Sequence, residues 1–305
     1  GYRTTVSETL LKTILELNAS SSSGSADGGG NEMQTAQQVS ETIIQDVLET
    51  LRDCKFDIDA IAGSVDEVGP FQNVVLQECE RMNTLTNEIS RSLIELDLGF
   101  RGDLTMSDSM EALSNSLFLD RIPKNWELLA YPSLRSLSGW LVNLQTRLSQ
   151  IHEWSGASMD TPTVTWICGL FNPQAFLTAV MQVTAQSQGL ELDKLTLFSD
   201  LMKKMNAEEM TSGAKEGTYI VGLAIEGASF NVQTSLLESS KPREMFCMLP
   251  VINIKPVVVS EKVDNSVFAC PVYKTQNRVF NMQLKSKYDS GKWILAGVVA
   301  VMEIL

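Results

Sequence analysis

Up to about residue 155 the apolar side chains recur at helical intervals. The clearest run is Leu134, Leu137, Leu141, Leu144, Leu148 and Ile151, spaced alternately three and four apart, which sets six aliphatic side chains on one stripe. About two and a half heptads are too few to hold a coiled coil, so the stripe predicts a core-facing helix of a bundle. A second long helix is expected over 70–98, with Phe71, Val75, Met82, Ile89, Leu93 and Leu96 inward and Gln77, Glu80, Arg81 and Glu88 outward. Its Pro70 falls near the start, where a missing N–H costs little. Shorter helices are expected over 7–17, 35–51 and 107–119. Asp57 and Asp59 place negative charge at the start of another. The serine- and glycine-rich stretch 19–30 reads as a surface loop. It lacks the Gly-Lys-Ser/Thr that would make it a phosphate cradle.

The pattern changes near residue 160. A helix is expected from Pro173 to about residue 188, with Phe176, Leu177, Val180 and Val183 as its apolar face. Apolar, β-branched runs then follow at 219–225, 248–259, 267–273 and 293–304, separated by Gly, Pro, Asn, Asp and Lys clusters. Short strands in succession, without long helices between them, predict an antiparallel sheet or small barrel. The fold class is therefore α+β: an N-terminal helical bundle, then a small antiparallel β-barrel or sheet domain with a leading helix. Pro250 and Pro271 suggest edge strands, strand starts or bulges.

Charge sharpens this division. Residues 1–155 carry 11 Lys and Arg against 23 Asp and Glu, whereas residues 156–305 carry 13 against 14, so nearly all of the net charge of −13 belongs to the first half. An acidic half without basic stripes argues against nucleic acid and other polyanionic surfaces as partners. No apolar run approaches the roughly 18 residues of a membrane helix, so no membrane partner is expected. The start shows no signal peptide and no initiator Met, which suggests a fragment of something longer. Five widely spaced cysteines, Cys54, Cys79, Cys168, Cys247 and Cys270, read as buried free thiols in a reducing compartment.

Side chains for catalysis are scarce. His152 is the only histidine, which rules out two-His zinc sites, and it reads as a cation at a helix C-terminus. No Gly-x-Ser-x-Gly elbow, no Gly-x-x-x-x-Gly-Lys-Ser/Thr loop and no strand-borne Gly-x-Gly-x-x-Gly is present. Asp57 and Asp59 lack the other ligands of a calcium loop. Cys168 and Cys270 have no Cys-x-x-Cys partner. No catalytic, cofactor-binding or metal-ligating residue is expected.

Residues 166–178, Trp-Ile-Cys-Gly-Leu-Phe-Asn-Pro-Gln-Ala-Phe-Leu-Thr, combine large apolar side chains with Asn172 as a cap for a helix that Pro173 opens. This segment resembles a motif of the C-terminal domain of dynein heavy chains. Others follow in the family's order: Ala130-Tyr131-Pro132-Ser133-Leu134 with Trp140 behind it, Tyr219 to Leu223 through Glu226-Gly227-Ala228, Lys241-Pro242-Arg243-Glu244, Leu249-Pro250-Val251-Ile252, and Lys255-Pro256. Cys270 to Thr275 with Arg278 is similar to the axonemal form, and Trp293 with Gly297-Val298 completes the set. Upstream, Leu10 to Leu15 and Val74 to Glu78 resemble the small lid of the sixth AAA+ module and the helices leaving it. The sequence departs from the family at Phe230 and Asn253, where Trp is common. It is also shorter between Arg278 and Trp293, which leaves the length of the last β-hairpin open.

The resemblance implies residues 1–66 as the helical lid of the last AAA+ module and 67–305 as the dynein C-terminal domain, helical over 67–158 and helix plus barrel over 159–305. It implies a non-catalytic region that braces the AAA+ ring and modulates the movement of a minus-end-directed microtubule motor in the cytoskeleton of a cilium or flagellum. ATP and Mg would be bound upstream, with no cofactor in these residues. The ring modules of the same heavy polypeptide would be the direct partners, and intermediate chains, light chains and the microtubule would be reached only through the parent. Trp166, Phe171, Pro173, Phe176, Tyr131, Trp140, Pro271, Tyr273 and Trp293 are the structural or interface candidates, and Met202, Met205 and Met210 are further interface candidates. The alternative is a free-standing helical and β scaffold protein without motor modules.

Overall fold

The computed structural model describes residues 28–52, 54–156, 161–258 and 267–302, and only the backbone of 28–36. The chain forms two compact units. One takes the chain up to Arg52 with Ser90–Pro123, and the other takes Asp53–Ile89 with Lys124–Leu305.

In the first unit, helix α1 (Gly28–Leu51) buries Ile44, Val47 and Leu51. It begins at Gly28 rather than Thr35, so Gly28 to Gly30 lie in its first turn rather than in a loop. First-turn N–H groups have no intrahelical partner, which makes this the least costly place in a helix for glycine. The rest of the expected loop, and the helix expected over 7–17, lie outside the described residues. The Ser40 hydroxyl meets the Ser114 hydroxyl at 3.4 Å.

The second unit opens with α2 (Ile58–Ala62), capped by Asp57, whose carboxylate accepts from the Ala60 N–H at 3.1 Å. Helix α3 (Pro70–Arg101) follows the expected register, with Val75, Met82, Ile89, Leu93 and Leu96 fully buried. Its residues up to Ile89 belong to this unit and the remainder to the first. Back in the first unit, α4 (Asp108–Phe118) starts after Ser107, whose hydroxyl accepts from the Met110 N–H, and it buries Met110, Leu113 and Leu117.

After the short α5 (Lys124–Glu127) comes α6 (Leu137–Trp154), which corrects the expected stripe. Leu134 precedes the helix and is 76% exposed, and Leu141 is only half-buried. The buried face is Leu137, Trp140, Leu144, Arg147, Leu148, Ile151 and Trp154. A strict seven-residue count drifts from the 3.6 repeat, and aromatics and an arginine occupy the positions that a search for aliphatics passes over.

Among the described residues the β region holds two open sheets and a small ribbon. Strands β1 (Val164–Trp166), β2 (Leu195–Leu201), β3 (Thr218–Val221) and β8 (Ile252–Val258) form one sheet in the order β1-β3-β8-β2. Strands β4 (Ala224–Glu226), β7 (Phe246–Met248), β9 (Val267–Lys274), β10 (Asn277–Lys285) and β11 (Val299–Val301) form the second in the order β10-β9-β11-β4-β7. The ribbon is β5 (Ala228–Asn231) with β6 (Leu236–Ser239). Helix α7 (Pro173–Gln188) spans the expected residues.

The expected barrel is not formed, and the sheets are not purely antiparallel. β1 runs parallel to β3, and β11 parallel to β9. Each of two apolar runs that read as one strand is divided between the sheets. The backbone passes from β3 to β4 at Gly222, whose φ of 104° only glycine adopts readily, and from β7 to β8 at Leu249-Pro250. Between β2 and β10 the joint is made by side chains instead of a backbone ladder. Gln283 Oε1 accepts from the Ser199 N–H and hydroxyl, both at 2.9 Å, and the Gln283 N–H donates back to Ser199 Oγ at 2.7 Å.

The run expected as a strand over 293–304 is also corrected. Residues Ser290–Leu295 form helix α8, started by Asp289, whose carboxylate accepts from the Gly291 N–H, and among the described residues of the run only Val299–Val301 pairs as strand. The Asp-Ser-Gly start and the left-handed Gly297 outweigh the β-branched composition here. The last hairpin is β9 with β10, paired from Val267–Lys285 to Lys274–Asn277.

Candidate functional site

Within the second unit, the polar groups that resist burial converge on the turn Leu170-Phe171-Asn172. The preceding 3-10 turn ends at Gly169, and α7 begins with Pro173, which has no N–H of its own. Asn172 caps α7, its side chain accepting from the Ala175 N–H at 3.2 Å. Glu78, on α3 and 1% exposed, accepts the two remaining donors: Phe171 N–H at 2.6 Å and Asn172 N–H at 2.8 Å. From β9, the Lys274 ammonium donates to the carbonyls of Leu170 at 2.8 Å and Phe171 at 2.7 Å. The turn is thus held by a carboxylate on its N–H side and an ammonium on its carbonyl side. These are charge-assisted bonds, stronger than neutral ones.

Burial raises the Glu78 carboxyl above its ordinary value. The two backbone N–H bonds oppose this, as do the charges of Lys274 and Arg81. Desolvation dominating over good hydrogen bonding is what a nearly water-free carboxylate shows.

Beside the turn lies an aromatic cluster around Arg147. Its guanidinium is fully buried, sits 3.5 Å from the ring centre of Tyr131 and 5.2 Å from that of Trp166, and donates through Nε to Asn143 at 2.8 Å. Tyr131 stacks on Trp140, Trp140 on Trp126, and Phe171 meets Tyr131 edge-on at 5.9 Å. Aromatic faces offer a buried guanidinium negative potential without further charge.

Trp166 is held by its neighbours' lack of side chain. A Cβ on Gly169 would lie 2.4 Å from Trp166 Cε3, and one on Gly222 2.5 Å from Cδ1. Gln150 of α6 completes this edge, donating to Trp166 O at 3.1 Å and accepting its N–H at 2.8 Å. The Cys168 thiol donates to Gly222 O at 3.1 Å.

The arrangement fastens segments together and offers little for reaction. Burial pushes the Cys79 and Cys270 thiols up to about 12, so both stay protonated at neutral pH. The five cysteines are all free, but Cys54 and Cys247 are only half-buried, so the expectation of buried thiols holds for three. Among the described residues no group of three His, Cys, Asp or Glu is placed to hold a metal ion, and no helix is long and apolar enough to cross a membrane.

Comparison with known proteins decides the family. The profile of the C-terminal domain of dynein heavy chains matches residues 4–302. The protein belongs to this family. Its full length is 41% identical over 308 residues to the "Dynein beta chain, ciliary" of Heliocidaris crassispina. It is 39% identical over 312 residues to the "Dynein beta chain, flagellar outer arm" of Chlamydomonas reinhardtii, and 40% over 308 residues to "Dynein axonemal heavy chain 9" of Homo sapiens. The whole sequence is covered in each case, and it spans 7% of the length of each relative. The match is to a C-terminal region and indicates no catalytic module.

Within this dynein C-terminal region the expected residues do not form one site. Tyr131, Trp140, Trp166 and Phe171 come together around Arg147, although Trp166 and Phe171 are only half-buried. Pro173 is the first residue of α7, and Phe176 packs edge-on against Trp154 at 5.7 Å and, tilted, against Phe71 at 5.7 Å. Pro271 lies in β9 opposite Asn281, next to Val272, where β11 pairs, and half-buried Tyr273 leads into Lys274. Trp293 lies apart from this cluster, on α8, where its Nε1–H donates to Ser286 Oγ at 2.8 Å. Met205 is 44% exposed, and Met202 and Met210 are half-buried.

Glu78, Lys274, Arg147 and Gln150 are not among the expected site residues. Two carried a signal. Glu78 lies three after Val75 and four before Met82, and Arg147 three after Leu144 and four before Ile151, so helical spacing puts both charges on inward faces.

Proposed function

We propose that this protein is the non-catalytic C-terminal region of an axonemal-type dynein heavy chain, bracing the AAA+ ring and modulating its ATP-driven motion along microtubules in a cilium or flagellum. Residues 1–66 would form the lid of the sixth module and 67–305 the C-terminal domain, with ATP and Mg bound upstream. The ring modules are its direct partners, and intermediate chains, light chains and microtubules are reached only through the parent. Family membership and the names of the relatives support the setting.

The mechanical part rests on one observation: α3, the turn before α7 and β9 are locked together by partly buried charge-assisted bonds between residues 93 to 104 apart. A brace must resist deformation without reacting, and such bonds do this.

The test uses the intact heavy chain, with residues 160–305 deleted and, separately, with Glu78→Gln and Lys274→Met combined to loosen the fastening. ATPase rate, gliding velocity and run length are compared with wild type. Altered coupling of ATPase to velocity in both variants supports a modulating brace, and unchanged values in both remove that role.

A further inference from the structure

Away from the fastened turn, an open trough of about 730 Å³ runs between the approach to α3 and the far end of α7. This volume is within the roughly 300–1,000 Å³ of ligand sites. One wall is Glu67 to Pro70 with Gln72 and Asn73, and the other is Gln182, Ala185, Gln186, Leu190 and Leu192. We propose that this trough receives an extended, lysine- or arginine-bearing peptide segment of a partner protein.

Three features point to that chemistry. Side-chain amides stand on both walls, and an amide offers a donor and an acceptor, as a peptide backbone requires. Val68 and Leu192, 38% and 41% exposed, supply apolar contact for alternate side chains. Both walls are also flanked by carboxylates: Asp66 and Glu67 on one, Glu191 and Asp193 on the other. The one cation in these stretches, Lys194, is engaged by Glu191 at 2.8 Å.

The helix ends are consistent with this. α7 finishes at the trough with Gly189 in the left-handed conformation and no basic residue in its last turn, so its own side chains leave the negative end of the helix dipole uncompensated. The opening turn of α3 presents the opposite polarity, which Asp66 and Glu67 more than offset. A second copy of the protein is disfavoured as occupant, because its net charge is −13.

The probe is a synthetic octapeptide of alternating Lys and Val, titrated by fluorescence anisotropy against the 305-residue protein, beside a control with Glu for Lys. Binding of the Lys peptide alone is expected. It should weaken by roughly tenfold or more when Asp66, Glu67 and Asp193 are all changed to Lys, and on raising the salt. Ala185→Trp should block it by filling the trough. As Ala185 is buried, Leu192→Arg serves as a second, exposed obstruction. Equal binding of both peptides, or affinity untouched by either obstruction, overturns the proposal. So does a concentration-dependent dimer in sedimentation that the obstructions abolish, which would make a second copy the occupant.

Discussion

At the scale of single residues, Glu78 shows how a charge can be useful where water is nearly absent. Truncating it to alanine leaves two partly buried N–H groups without their acceptor, so Glu78→Ala should lower unfolding stability by about 2–4 kcal/mol in urea titrations. A double-mutant cycle of Glu78→Gln with Lys274→Met should give a coupling of about 0.5–3 kcal/mol, because both grip the same peptide groups. Additive losses would mean that the two bonds act separately. The pH dependence has a definite sign. The folded state holds the Glu78 proton more tightly than the unfolded state does, so its contribution is full below the ordinary value of 4.5 and is lost as pH rises through the raised folded value. The stability of wild type relative to Glu78→Gln should therefore fall from pH 4.5 upward, and a rising difference would contradict the dominance of burial. The cysteines give a simpler check. Iodoacetamide on the native protein should label Cys54 and Cys247 well before Cys79 and Cys270, as mapped by mass spectrometry.

At the scale of elements, the helices were legible wherever an apolar period and a cap agreed. Asn172-Pro173 with Phe176, Leu177 and Val180 marks α7, and Ser107 marks α4. The strands were legible as composition but not as sheets. Nothing local says that the run 219–225 changes sheets at Gly222, because that break depends on Trp166 occupying the space a Cβ would need. The fastened turn was hidden for the same reason: its partners lie about a hundred residues away, and only the inward spacing of Glu78 hinted at it. Burial also ranks the two motif aromatics in a way that sequence could not. Phe176→Ala empties a fully buried site and should cost about 3–5 kcal/mol, whereas Trp166→Ala, at a half-buried site, should cost less. Gly222→Ala should destabilise through both its φ of 104° and the crowding against Trp166. If that crowding matters, Trp166→Leu recovers part of the loss; if it recovers none, backbone strain alone is responsible.

At the scale of the whole molecule, α3 is the one helix that the division between the two units interrupts, whereas the chain's other two crossings, after Arg52 and after Pro123, fall outside helices. Its stretch up to Ile89 folds with one unit and the stretch from Ser90 with the other. Breaking a helix interior with proline costs about 3 kcal/mol or more, so Ser90→Pro at this junction should uncouple them. The tryptophans provide the means to see it. Trp126, Trp140, Trp154, Trp166 and Trp293 all belong to the second unit, so indole fluorescence follows that unit alone, while far-ultraviolet circular dichroism follows the helices of both. In wild type the two probes should give coincident urea transitions, the mark of one cooperative unit. In Ser90→Pro the dichroism should begin to fall at lower urea than the fluorescence, because the unit built on α1 and α4 is then left with the shorter, C-terminal stretch of α3 alone. Separate transitions in wild type would show that α3 does not transmit stability. Coincident transitions in the variant would show that something other than the unbroken helix couples the units, and a brace would then have to act through that contact.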